Sequence, residues 1–193
     1  MTTDPRRVAV LALHWQVNVI EPEGFFGGML AEPMRRSGVV ARAARFHAAA
    51  RGASLPVYFT RFTIPVGGGQ LVRNTGFMEA VDEAQELFRP DAGGAGLVEA
   101  MRPLAEPGYV IDNQKLSGLA GNDLPSLLAE RGVDTVFLTG VATNLTVEQT
   151  ARHGTDLGLT VYVVSDCVAA VTDEVHQASL ANLALTTRGL ITA

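Results

Sequence analysis

Residues 8–13, Val-Ala-Val-Leu-Ala-Leu, form an apolar run with no polar interruption. A strand with one wet face alternates in polarity. An unbroken run is how a strand buried on both faces reads. That run demands helices above and below a sheet, and the rest of the chain supplies them. Strand-length apolar stretches at 56–60, 109–111, 134–139 and 160–165 alternate with segments of helical period at 39–50, 124–130, 147–157 and 173–187. Residues 190–192 suit a short edge strand. Strand, helix and strand in regular succession imply parallel pairing with right-handed crossovers. The expected architecture is a three-layer, Rossmann-like, doubly wound α/β sheet in a single domain spanning 1–193.

Composition narrows the function classes. Apolar residues make up 47% and charged residues 18%, values of an ordinary folded domain. The formal charge of −5 argues against nucleic acid or an anionic membrane as partner. No apolar run reaches the length of a membrane span. Residues 1–7 are polar and show no signal-peptide pattern. The lone Cys167 excludes an internal disulfide and suits a reducing cytoplasm.

Two stretches break the rhythm. Residues 21–38 are rich in Gly, Pro and flexible apolar side chains, and 63–96 contain Gly67-Gly68-Gly69, Pro90 and Gly93-Gly94. Both read as long loops, of the kind that serve as lids, binding loops or subunit contacts. Residues 77–88 suit a short amphipathic helix within the second. Phe25, Phe26, Met29, Leu30, Phe77 and Phe88 give these stretches an apolar face that covers either a pocket or a neighbouring subunit.

Open parallel sheets bind ligands at the carboxyl ends of their strands, where the strand order reverses. Three expected strands end in polar residues. The first runs into His14-Trp15-Gln16-Val17-Asn18, the third into Asp112-Asn113-Gln114-Lys115, and the fourth into Gly140-Val141-Ala142-Thr143-Asn144-Leu145-Thr146. His14 suits a general acid or base near neutrality. Thr146 reads as a nucleophile at a helix start or as the first residue of a Thr-x-x-Gln capping box, with Asn144 an alternative cap. Lys115 suits an oxyanion or a substrate carboxylate. Asn113 suits a substrate carbonyl. Arg61 and Arg73 are candidate carboxylate clamps or plain surface charges. His47 and His153 read as structural, and Cys167 as a small core residue after the fifth strand.

The segment Gly140-Val141-Ala142-Thr143-Asn144, with 147–152 (Val-Glu-Gln-Thr-Ala-Arg), Asp156-Leu157-Gly158 and Val163-Val164-Ser165-Asp166, resembles the isochorismatase-like, or cysteine hydrolase, superfamily. Glu174-Val175-His176, Leu13-His14-Trp15-Gln16 and 117–124 extend the resemblance over 7–193 outside the two long loops. The usual set in that family is Asp, Lys and Cys. His14 stands at the Asp position and Thr146 at the Cys position. Asn113 or Lys115 stands at the Lys position. The resemblance implies a non-proline cis peptide between Val141 and Ala142 that aims backbone N–H groups at the substrate, a structural His176, and a homo-oligomer, either dimer or tetramer. Substrate contacts are expected from Gln16, Asn18, Arg61, Val141, Ala142, Thr143 and Asn144. The family's Asp-x-His metal motif has no counterpart at 58–63, and no metal or cofactor is expected. Two functions follow. One is a hydrolase of a small carbonyl, amide or vinyl-ether compound, with attack by water activated by His14 preferred to attack by Thr146, which lacks the low pKa that makes cysteine effective. The other is a non-catalytic member that binds a small molecule or serves an assembly.

Overall fold

The computed structural model describes residues 4–193; the first three residues of the polar N-terminal lead lie outside them. Six strands form one sheet, β1 (Val8–Leu13), β2 (Val57–Phe62), β3 (Val110–Asn113), β4 (Thr135–Val141), β5 (Thr160–Ala169) and β6 (Gly189–Ile191). Their order is β3-β2-β1-β4-β5-β6, and every pair is parallel. The helices are α1 (Val17–Ile20), α2 (Gly27–Ser37), α3 (Val39–Gly52), α4 (Gly76–Glu83), α5 (Leu124–Glu130), α6 (Glu148–Asp156) and α7 (Asp173–Thr186). The doubly wound α/β expectation is met.

The apolar run of β1 explains the layering. All six residues are buried, and the pleat deals them alternately to two cores. Val10 and Ala12 join Val39, Ala43 and Met34 beneath α2 and α3. Ala9, Leu11 and Leu13 join Leu124, Leu128, Ala151 and Leu183 beneath α5, α6 and α7. A third cluster, Phe62, Ile64, Leu71, Met78, Val81 and Phe88, sits beyond the carboxyl end of β2.

Four expectations need correction. Residues 21–38 are not a loop, because α2 occupies 27–37. Its Gly and Pro content masked the Leu30/Met34 pair, buried at i,i+4. Gly27 is a packing requirement: a Cβ there would stand 2.2 Å from the Glu21 carbonyl oxygen. The helix expected over 77–88 ends at Glu83 and gives way to a tighter turn, Gln85–Phe88. Cys167 lies inside β5, which is longer than expected, rather than after it. The helix expected from 147 begins as a wide π-type turn, Thr143–Val147, before α6.

Among the described residues no helix is long and apolar enough to cross a membrane.

Candidate active site

The strand order reverses between β1 and β4, whose registers pair Leu13 with Gly140. Gly140 (φ 141°) permits this: a Cβ there would lie 2.4 Å from the Leu13 carbonyl oxygen. Just past Leu13 the chain bends, and His14 adopts φ 55°, a left-handed conformation costly for a non-glycine residue. It is held there by its own N–H donating to Thr60 O (3.1 Å) and by Gln16 N–H donating to His14 O (2.8 Å). The bend points the imidazole across to the turn after β4.

That turn begins with a cis peptide between Val141 and Ala142, as the resemblance implied. The Thr143–Val147 turn then brings Thr146 Oγ1 to 3.0 Å from His14 Nδ1. Both side chains are buried. The Thr-x-x-Gln capping box does not form, because the Thr146 hydroxyl faces the imidazole and α6 has no side-chain cap. Thr143 is fixed from α7: its Oγ1 bonds His176 Nδ1 (2.9 Å), and Ser179 Oγ lies 3.2 Å from its carbonyl oxygen and 2.6 Å from Glu148 Oε2.

Asn113 ends β3 and is buried beside the imidazole. Its amide orientation is set by Lys115, whose N–H donates to Asn113 Oδ1 (3.1 Å) and whose carbonyl accepts from Nδ2 (2.7 Å). Nδ2 therefore faces His14 Nε2, at a long 3.5 Å. Burial pushes the His14 pKa down to about 4, so the ring is neutral at physiological pH.

His14 and Thr146 form the floor of a cavity of about 100 Å³, which Asn113 does not line. Val141, Ala142, Asn144 and Leu145 supply one wall. Val19, Phe26, Met29 and Leu30 come from 19–30, and Phe77, Val81 and Phe88 from 77–88. Phe62, Leu116 and Val171 complete it. Phe26, Met29, Leu30, Phe77 and Phe88 thus line a pocket, while Phe25 packs against Phe26 and Phe88 without lining it. Phe26 and Phe77 stack at 5.5 Å, while Phe62 meets Phe88 edge-on. Phe62 and Val171 were missed from sequence although Phe62 closes β2 and Val171 lies just past β5, where the sheet rule directs attention. Val81 shares a helical face with Phe77 at i,i+4, whereas Val19 and Leu116 carry no sequence signal.

Other candidate residues do not line this cavity. An extended strand would turn Lys115 to the same face as Asn113, but β3 ends at Asn113 and the two-residue period ends with it. Its Nζ donates to Gln70 O, in a separate groove with Asn74, Gln149 and His153. Gln16 clamps the backbone: Nε2 donates to Phe62 O (3.0 Å) and Ala95 O (2.9 Å), and Oε1 accepts from Phe62 N (2.6 Å). Asn18 Nδ2 donates to Leu87 O (2.6 Å). Arg61 pairs with Asp112 (2.8 Å) and Arg73 with Asp82 (2.7 Å). Thr143 Oγ1 is taken by His176. Cys167 is buried, and desolvation pushes its thiol up to about 12. His47 is buried against Thr139 Oγ1 (2.8 Å), and His153 Nδ1 bonds Ser117 Oγ (2.9 Å). Among the described residues no three His, Cys, Asp or Glu side chains gather to hold a metal ion.

Comparison with known proteins places these features in context. Residues 8–193 match the family profile described as isochorismatase domain. The ureidoacrylate amidohydrolase RutB of Methylobacterium radiotolerans is 31% identical over 193 aligned positions, covering 93% of this chain and 74% of that protein. The isochorismatase family protein YwoC of Bacillus subtilis is 32% identical over 115 positions, covering 55% of this chain and 61% of YwoC. The crystal structure of an isochorismatase family protein from Desulfovibrio vulgaris superposes with a TM-score of 0.82 at 23% identity, over 96% of this chain and 94% of that one.

Proposed function

The chain belongs to the isochorismatase family, and on that premise we propose that it is a hydrolase of a small carbonyl compound, most naturally an amide, working through a cysteine-free His14–Thr146 pair. The observation that carries this reading is the 3.0 Å approach of Thr146 Oγ1 to His14 Nδ1 at the floor of a cavity. The amide class follows the Methylobacterium relative, which is named for hydrolysis of an amide.

In this reading Thr146 Oγ attacks the carbonyl carbon while its proton passes to Nδ1. Threonine needs such a base. Both ring nitrogens face protein atoms, so a water reaching the ring directly must displace one of them. This favours Thr146 over water as the first attacking group. The oxyanion meets backbone N–H groups at the start of the Thr143–Val147 turn, where a helix has no acceptors of its own. The proton on Nδ1 then leaves with the amine. Water repeats the sequence on the ester and releases the acid. His14 and Thr146 do the work in this account, and Lys115 fixes the orientation of Asn113 through its backbone.

A second reading, ligand binding without turnover, is favoured by one contact. An amide NH₂ facing Nε2 suits a ring whose proton sits on Nδ1. In that tautomer Thr146 accepts from His14 and cannot pass its proton to the ring. The two readings separate in one experiment: a turnover screen of small amides and esters with the native protein, His14→Ala and Thr146→Val. Turnover abolished by both substitutions supports the hydrolase. Saturable thermal stabilisation without product supports the binding protein.

A further inference from the structure

We propose that the cavity over His14 and Thr146 selects an uncharged ligand, namely a neutral amide whose acyl part is one small ring or a short aliphatic group. Calling this ligand a substrate rests on the hydrolase reading above; its charge class does not.

Among the described residues the lining contains no Asp, Glu, Lys or Arg. Its polar members, His14, Asn144 and Thr146, carry no formal charge. The cations of segments 61–89 and 113–116 are all engaged elsewhere. Lys115 is bonded to Gln70 O, Arg61 to Asp112 and Arg73 to Asp82. Arg89 donates to Ile64 O (3.0 Å) and Pro65 O (2.7 Å). A carboxylate entering this space loses its hydration and meets no cation, and an ammonium meets no carboxylate. A neutral amide avoids both penalties. Its oxygen meets the donors of the 142–146 turn, and its apolar part replaces water against Phe26, Phe62, Phe77 and Phe88. Size sets the second limit. An apolar cavity of roughly 150 Å³ accepts benzene, so about 100 Å³ with an open rim takes one ring at most.

The test is calorimetric titration of the full chain near neutral pH with benzamide, isobutyramide, benzoate and benzylammonium. The amides are expected to bind at least about 10-fold more tightly than benzoate or benzylammonium, a gap of about 1.4 kcal/mol. Met29→Arg places a cation on the exposed rim, where Met29 is 54% exposed, and is expected to shift the benzoate-to-benzamide ratio by about 5-fold or more toward benzoate. Benzoate or benzylammonium binding as tightly as benzamide overturns the proposal. So do amides that show no saturable binding, and a Met29→Arg variant with an unchanged ratio. Ammonia release, assayed in parallel, keeps the two claims apart. Amide-selective binding without ammonia overturns the hydrolase and upholds the charge class. Ammonia release with no discrimination against the charged ligands does the reverse.

Discussion

Thr146 Oγ1 and His14 Nδ1 stand 3.0 Å apart although 132 positions separate them in the chain. The register that pairs Leu13 with Gly140 creates this approach, so the sheet itself holds the two groups together. Thr146→Ser keeps the hydroxyl and is expected to retain activity within about 10-fold, whereas Thr146→Val and His14→Ala are each expected to lower kcat by about 10²–10⁴. Steady-state turnover of the best amide found checks this. Full activity in Thr146→Val removes the hydroxyl from the mechanism.

Burial holds the His14 pKa at about 4. The unprotonated ring that a base requires is present above that value and lost as pH falls through it. The kcat profile is therefore expected to be flat from about pH 5 upward and to fall toward pH 4, well below the roughly 6.5 of an exposed histidine. An inflection near 6.5 contradicts the buried, neutral ring.

Asn113→Asp puts a carboxylate where an amide NH₂ now faces Nε2. The carboxylate favours a proton on Nε2, raises the His14 pKa and leaves Nδ1 as an acceptor for the threonine hydroxyl. The hydrolase reading requires histidine ¹⁵N chemical shifts that report Nε2–H in the native protein, whereas Nδ1–H in the native protein, changing to Nε2–H in the variant, supports the binding reading. The lower limb of the pH profile is expected to move up. Identical shifts in both proteins rule out tautomer control by residue 113.

His47 is fully buried, its Nδ1 has no hydrogen-bond partner among the described residues, and its pKa is pushed down to about 3. Between that value and the roughly 6.5 of the unfolded chain, the unfolded state binds the extra proton. Stability contributed by the neutral ring is present above about pH 6.5 and declines as pH falls, by about 1.4 kcal/mol per unit for each such histidine. His14 adds to the same slope. Urea midpoints measured from pH 6.5 to 5, above most carboxylate titration, are expected to fall in the native protein and about half as steeply in His47→Leu. Equal slopes place the proton uptake elsewhere.

Gly140→Ala sets a methyl group against the Leu13 carbonyl oxygen at a φ that side chains rarely adopt. A loss of about 2–4 kcal/mol in stability is expected, measured by chemical denaturation, with the His14–Thr146 approach disturbed as well. A neutral effect indicates that β1 and β4 can separate slightly at their ends.

The sheet was legible because β1 is buried on both faces, a condition that leaves its mark in six adjacent residues. Strand-end reasoning placed His14, Asn113 and the 141–146 turn together for the same reason, since β1, β3 and β4 all deliver their carboxyl ends to one edge. Lys115 was not legible, because its position depends on an aperiodic turn after Asn113 and on Gln70, a residue from the other long segment. The amides of Gln16 and Asn18 look like ligand groups in sequence, and only the folded chain shows the carbonyls of Phe62, Ala95 and Leu87 that they satisfy. Helix α2 stayed hidden because Gly27 and Pro33 mimic a loop, although Gly27 serves packing.

The floor of the cavity hangs from the sheet, but its ceiling is built from α2, α4 and the Gln85–Phe88 turn, which lie outside it. Substitutions at Phe26, Met29, Leu30, Phe77 or Phe88 can therefore reshape what fits without moving the strand ends that hold His14 and Thr146. A lineage carrying this scaffold can trade one ligand for another by rewriting two short segments and leave its polar pair untouched.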